Sequence, residues 1–371
     1  MPRVMVVYGT RPEAVKLAPL VLALRDAPGL EPRVVVTAQH RSMLDEVNEV
    51  FGIEPDHDLD LMTPGQSLAD LTTRAVLGLS PLLEAERPDA VVVQGDTTTT
   101  FAAALAAFYN RIPVVHVEAG LRTHDRYSPY PEEVNRRLTT ALSTLHLAPT
   151  PHTRGNLVAE GIAAGDIAVT GNTVIDALHW VLAGEEPPPG EEKVLLVTAH
   201  RRESWGQGMA SIGRAVARIA AAQPSLKVVL PAHRNPVVRE TLLPELHGLA
   251  NVEVCEPLSY RPFARLLARS TLVLTDSGGL QEEAPALGKP VLVMRDTTER
   301  PEGVEAGTVK VIGTDEDRIV SETLALLTDA AAYDVMAKAT NPYGDGAAAA
   351  RSVAAISQLL GIGPRLPDFV P

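Results

Sequence analysis

The chain has 371 residues, a formal net charge of −13, 45% hydrophobic residues and one cysteine. That length suggests about two domains, and the acidic balance argues against nucleic acid or an anionic membrane as main partner. Cys255 alone excludes an intrachain disulfide framework and favours a reducing cytosol. No apolar run approaches the roughly 20 residues needed to span a bilayer. The N-terminal apolar stretch 4–8 reads as a first strand instead of a signal peptide. The expectation is a soluble, cytoplasmic protein.

Short apolar runs at 4–8, 34–37, 90–94, 114–117 and 145–148 read as strands. Between them lie amphipathic stretches at 14–25, 41–51, 68–86, 101–109 and 133–142, each of helical pattern. Such alternation predicts a parallel sheet with helices on both faces. After a helical stretch at 174–182, the run Glu185-Glu-Pro-Pro-Pro-Gly-Glu-Glu192 is the clearest linker signal. Alternation then restarts with strands expected at 194–198, 228–230, 252–254, 272–275 and 291–294. The class is α/β, with two Rossmann-like doubly wound domains. If their strand ends faced each other, they would line one interdomain cleft.

Chemistry-bearing motifs follow the strands. The densest is His116-Val-Glu118-Ala-Gly-Leu-Arg122, continued by Tyr127-Ser-Pro-Tyr-Pro-Glu132-Glu133-Val-Asn-Arg136-Arg137. Ligands of open α/β sheets bind outside the carboxyl ends of the strands, so carboxylates and arginines there suit acid–base work on an anion. Asp276-Ser277-Gly278-Gly279, with Glu283, reads either as an anion-binding turn or as an ordinary helix cap. Arg295 to Glu302 reads as a phosphate contact through Arg300 or as a surface ion-pair cluster. Gly9-Thr-Arg11-Pro-Glu13, with Lys16, puts two cations at a helix start, against the dipole preference and therefore suggestive of a ligand. His200 and His233 end two strands of the second half, and neither has metal-ligand spacing. There is no Gly-x-Gly-x-x-Gly after the first strand and no Walker-type Gly-Lys-Thr, so nicotinamide and ATP motifs are unsupported.

Taken in order, these motifs form a series. It runs through residues 9–14, Gly95-Asp96-Thr-Thr-Thr-Thr100, 116–122, 127–133, Thr170-Gly-Asn-Thr-Val-Ile-Asp176, 200–203, 276–279, 295–302 and Asn341-Pro-Tyr-Gly-Asp-Gly346. The chain closely resembles the non-hydrolysing UDP-N-acetylglucosamine 2-epimerases, essentially end to end. The resemblance implies a GT-B-like fold, with domains at 1–170 and 171–347 around a central cleft and a C-terminal helix, 348–371, rejoining the first. It implies a homodimer that interconverts UDP-GlcNAc and UDP-ManNAc, without cofactor or metal, for polysaccharide biosynthesis. By the same resemblance Asp96, Glu118 and Glu132 are proton-transfer candidates beside Arg136. Arg11, Lys16, Ser277, Gly278, Gly279, Glu283 and Arg300 would hold UDP, with Phe263 beside the uracil. His200 is placed with the UDP-holding residues and with the catalytic group. A second UDP-GlcNAc, acting as activator, would use Gln39, Gln66, Arg201 and His233. The stretches Gln39-His-Arg-Ser42 and Gly65-Gln66 depart from the family's pattern there, and Leu258 replaces a glutamine near the uracil.

The competing expectations are a GT-B glycosyltransferase, a hydrolysing 2-epimerase and a non-catalytic nucleotide-sugar sensor. A transferase would not need Asp96, Glu118 and Glu132 together and would need an acceptor site. A hydrolase differs in letting water capture the intermediate. A sensor would tolerate loss of the carboxylates, all of which are present.

Overall fold

The computed structural model describes residues 1–37, 41–61, 63, 65–185 and 192–371. The chain forms two compact units, Met1–Trp180 with Tyr343–Pro371, and Val181–Pro342. Most of the expected linker, residues 186–191, lies outside the described residues.

In the first unit the strands are β1 Arg3–Tyr8, β2 Glu31–Val36, β3 His57–Asp58, β4 Ala90–Gln94, β5 Val114–Val117, β6 Leu145–Ala148 and β7 Ile167–Val169. They form one parallel sheet in the order β3-β2-β1-β4-β5-β6-β7. Its helices are α1 Arg11–Asp26, α2 Arg41–Phe51, α3 Leu68–Glu86, α4 Thr98–Tyr109, α5 Glu132–Leu142, α6 Pro151–Ala159 and α7 Thr173–Leu182. Every residue of β4 is buried, as expected for a strand covered on both faces by helices. Met5, Val7, Val91 and Val93 pack with Leu79, Leu83 and the alanines of α4 into one core.

The second unit carries β8 Val194–Thr198, β9 Lys227–Pro231, β10 Val252–Cys255, β11 Leu272–Thr275, β12 Val291–Val293 and β13 Val309–Val311. These pair in parallel as β10-β9-β8-β11-β12-β13. Around them lie α8 Gln207–Ala222, α9 Pro236–Leu242, α10 Tyr260–Arg269, α11 Leu280–Ala286, α12 Pro301–Glu305, α13 Glu316–Thr328 and α14 Ala330–Ala337. Leu195, Val197, Leu272 and Leu274 meet Ile212, Val216 and Ile319 in its core. In both sheets the strand order reverses at the junction of the first and fourth strands, which is where such folds bind ligands.

The last helix, α15 Ala348–Leu359, belongs to the first unit and packs against α1. Asp176 accepts the Ala348 and Ala349 N–H groups at 3.2 and 2.8 Å, which pins the start of that helix. Gly346, at φ +82°, lies so close to His179 that a Cβ would come 2.5 Å from its Nδ1. The helix ends at Leu359, short of the expected 348–371. Gly361 then turns at φ +71°, and Phe369 N donates to Val169 O at 2.7 Å on the edge strand. No helix among the described residues is long and apolar enough to cross a membrane.

Candidate active site

In the first unit, the turns after β1, β4 and β5 are tied together by buried carboxylates. Glu13, one turn into α1, accepts Gly9 N at 3.0 Å and Thr10 N at 2.7 Å. Its other oxygen accepts the hydroxyls of Thr97 and Thr100 at 2.6 and 2.9 Å. One side chain thus locks the turn after β1 to the turn that carries Asp96.

Asp96 follows Gly95, which turns at φ +72°. His116, fully buried on β5, donates from Nε2 to the Gly95 carbonyl at 2.7 Å. Burial pushes this imidazole down to about 3, so it is neutral at physiological pH. The Asp96 carboxylate takes a charged hydrogen bond from Arg136 Nη2, and its carbonyl accepts Asn135 Nδ2 at 3.0 Å. Burial lowers the Arg136 guanidinium, yet Asp96 and Glu133 outweigh it and hold the group above its ordinary value.

Glu118 closes β5 in a left-handed conformation, φ +62°. An L residue there costs roughly 1–2 kcal/mol, a strain typical of functional turns. Its carboxylate accepts both Lys16 Nζ contacts, at 2.6 and 2.7 Å, together with Gln94 Nε2 and Asn172 Nδ2. Glu132 opens α5, partly buried, and the neighbouring Glu133 is wholly buried.

In the second unit the buried Asp276 organises the edge. It accepts the backbone N–H groups of His200 and Arg201, each at 2.7 Å, and pairs with His200 Nδ1 at 2.9 Å. Burial alone would raise this carboxyl, but His200 and the two N–H groups hold it below its ordinary value. The His200 ring stacks on His233 with centroids 5.8 Å apart. Burial and then the neighbouring His200 lower the His233 imidazole.

Ser277-Gly278-Gly279 leads into α11, a helix of seven residues. Arg300 is buried against this turn. Its Nε donates to Glu282 at 2.5 Å and its Nη1 to Glu299 at 2.8 Å. A Cβ on Gly278 would sit 2.6 Å from Arg300 Nη1, so a side chain there would have to displace the guanidinium. Arg295 donates to Glu203 at 2.6 Å and to Glu299 at 2.8 Å. Burial opposes ionisation of Glu299, but Arg300, Arg295 and Arg201 pull it down to about 2. Glu283 reaches toward Gly279, and Phe263 is half-buried on α10.

The family model described as UDP-N-acetylglucosamine 2-epimerase matches residues 22–357. The chain belongs to that family. A curated UDP-N-acetylglucosamine 2-epimerase of Salmonella typhimurium is 54% identical over 368 residues, covering 95% of this chain and 98% of the relative. The UDP co-structure of S. aureus MnaA has a TM-score of 0.92 and 46% identity, and each chain is covered in full. The epimerase of Neisseria meningitidis, solved with UDP-GlcNAc bound, has a TM-score of 0.88 at 47% identity, covering 97% of this chain and 100% of that one.

Within this epimerase-family chain, Arg11, Lys16, Asp96, Glu118, Glu132 and Arg136 all follow strands of the first sheet. The structure joins Lys16 to Glu118 and Arg136 to Asp96. The residues His200, Ser277, Gly278, Gly279 and Arg300 gather at the edge of the second sheet. Of the residues expected to hold an activator, Gln39 lies outside the described residues. Gln66 directly precedes Ser67, the cap of α3, while Arg201 and His233 flank His200. Sequence reasoning passed over Glu13, Asp276, Glu282, Glu299 and Glu133. Only Glu13 carried a signal, because Thr10-Arg-Pro-Glu13 has capping-box spacing. No group of three His, Cys, Asp or Glu side chains that could hold a metal occurs among the described residues.

Proposed function

We propose that this chain is a non-hydrolysing UDP-N-acetylglucosamine 2-epimerase, interconverting UDP-GlcNAc and UDP-ManNAc. The observation that carries this reading is a pair of carboxylates on adjacent turns, each held by its own cation: Glu118 by Lys16 and Asp96 by Arg136. The relatives named for this activity, and the Neisseria enzyme solved with UDP-GlcNAc, support the substrate.

The sugar's C2 proton is not adjacent to a carbonyl, so direct abstraction is too uphill. A base instead takes that proton while the C1–O bond to UDP breaks and the leaving oxygen keeps the electron pair. The product is 2-acetamidoglucal, whose C1=C2 bond has lost the configuration at C2. A proton returned to the opposite face, with UDP re-added at C1, gives the epimer. Atoms and electrons balance without redox change. Two faces need more than one acid–base group, which Asp96, Glu118 and Glu132 supply, with Arg136 and Lys16 holding charge beside them. General acid–base groups contribute about 10²–10⁴ in rate. UDP is proposed to be held in the second unit through Ser277, Gly278, Gly279 and Arg300, with His200, Glu283 and Phe263 completing its contacts there. A donor aimed at a developing anion is worth about 3–4 kcal/mol.

The protein is further proposed to work as a cytoplasmic homodimer that supplies UDP-ManNAc for polysaccharide synthesis. Leu77, Phe108, Tyr109 and Leu138, on the consecutively packed α3, α4 and α5, expose apolar side chains suited to a second copy. A second UDP-GlcNAc is proposed as activator, with Arg201 and His233, beside His200, among its contacts. Proton NMR with UDP-GlcNAc in D₂O tests the main reading. Deuterium at C2 with UDP-ManNAc appearing is the expected result. Free ManNAc with UDP would replace it by the hydrolysing reaction, and unchanged substrate would refute it.

A further inference from the structure

We propose that Glu133 is a positioning residue for proton transfer, acting through Arg136 on Asp96. The inference rests on the epimerase reading above. Glu133 has no exposed side-chain surface, so it cannot itself meet a substrate. Its four acceptor positions are filled: Oε2 takes Thr123 N at 3.0 Å and Arg136 Nη1 at 3.1 Å. Oε1 takes His124 N at 3.3 Å and Arg137 Nε at 3.0 Å.

Arg136 divides its two terminal nitrogens between Glu133 and Asp96. A guanidinium is a rigid planar fork, so fixing one edge aims the other. Asp96 is thereby oriented by a carboxylate that it does not touch. The same carboxylate ties the backbone at 123–124 to the first turn of α5, the turn that carries Glu132. Burial opposes its charge, but the Thr123 N–H and both arginines hold its carboxyl below the ordinary range, which keeps the brace ionised.

The rival account is a buried ion pair that only stabilises the fold, and it predicts a different pattern of kinetics. Initial rates with UDP-GlcNAc would be measured for wild type, Glu133→Gln, Arg136→Lys and the double variant, with UDP titrations and thermal melts alongside. Glu133→Gln should lower kcat by about 10²-fold, the effect of displacing a reacting group by about 1 Å. KM and the Kd of UDP should stay near wild type. In the Arg136→Lys background, Glu133→Gln should change kcat little, because the coupled path is already broken. Glu133→Asp, which keeps the charge at shorter reach, should recover part of the loss, and it takes over the test if the glutamine variant does not fold. Arg137→Ala, which leaves the Arg136–Asp96 link in place, should turn over like wild type. Equal losses in both backgrounds, or full turnover in Glu133→Gln, would overturn the inference. A wild-type protein that leaves UDP-GlcNAc unchanged refutes the epimerase reading before any variant is compared, and the inference with it.

Discussion

The two sheets carry opposite charge arrangements at corresponding edges. After β4 and β5, the groups at the centre are carboxylates, Asp96 and Glu118, and each is steadied by a cation. After β12, the central group is a cation, Arg300, steadied by the carboxylates Glu282 and Glu299. Apart from a seventh strand at one edge of the first sheet, the strand order and switch point are the same in both sheets, so the fold does not set this difference. The side chains placed on the turns do. In the proposed reading the first edge exchanges protons and the second meets an anion, with glycines at 278 and 279 where a phosphate needs close approach to the backbone.

The contrast is broken most sharply by neutralising the first edge. Asp96→Asn, Glu118→Gln and Glu132→Gln should each lower turnover by about 10²–10⁴-fold, the usual worth of an acid–base group. UDP affinity, read by calorimetry, should hold. Near-normal turnover in all three would leave the first edge without its proposed chemistry. The converse variant is Arg300→Ala. It should weaken UDP binding by about 10²-fold, because a charged hydrogen-bond donor is lost. Glu282 also loses its Arg300 contact, while Glu299 keeps Arg295. Unchanged affinity would remove Arg300 from the clamp.

The edges also differ in how they answer acid. His116, beneath the Asp96 turn, titrates near 3 in the fold, against about 6.5 in an unfolded chain. The unfolded state therefore binds the proton first, and stability is lost as pH falls from about 6.5 toward about 3. His146, paired in register with it on β6, is pushed by burial to about 4 and acts in the same direction. Asp276 in the other unit is depressed too, but from the carboxylate range, so its contribution disappears only as pH falls below that range. Between about pH 7.5 and about pH 5, His116 alone should cost about 2 kcal/mol of unfolding free energy. Urea titrations of His116→Gln should show that part of the pH dependence gone, and an unchanged drop would contradict the assignment.

Much of this was legible in the chain. The strands β4, β5, β8 and β11 are short continuous apolar runs and were expected within a residue or none. The strands β3, β7 and β13 were missed, because two or three residues are too few to show a period. The site motifs stood out as long series of polar residues after strands. Which member of an adjacent pair turns inward did not. In Glu282-Glu283 the sequence points to Glu283 for the ligand and gives no sign that the buried Glu282 holds Arg300. In Glu132-Glu133 the first is partly buried and the second fully so, a difference the sequence does not show. Neighbours on a helix point about 100° apart, and the facing element that decides between them is distant in sequence.

Gly278 provides the finest test of the contrast. An added Cβ would lie 2.6 Å from Arg300 Nη1, closer than such contacts allow, and a tight 3.0 Å from Glu299 Oε1. Gly278→Ala must therefore push the end of a guanidinium that Glu282 and Glu299 hold in place. Charge is conserved and no hydrogen-bonding group is deleted, so the loss should be smaller than for Arg300→Ala. UDP affinity is expected to fall about 10-fold, close to one charged hydrogen bond. If the arginine is what makes the second edge an anion site, adding Gly278→Ala to Arg300→Ala should cost little more. Full additivity would instead mean that the glycine turn meets the phosphate by itself, with Arg300 acting separately.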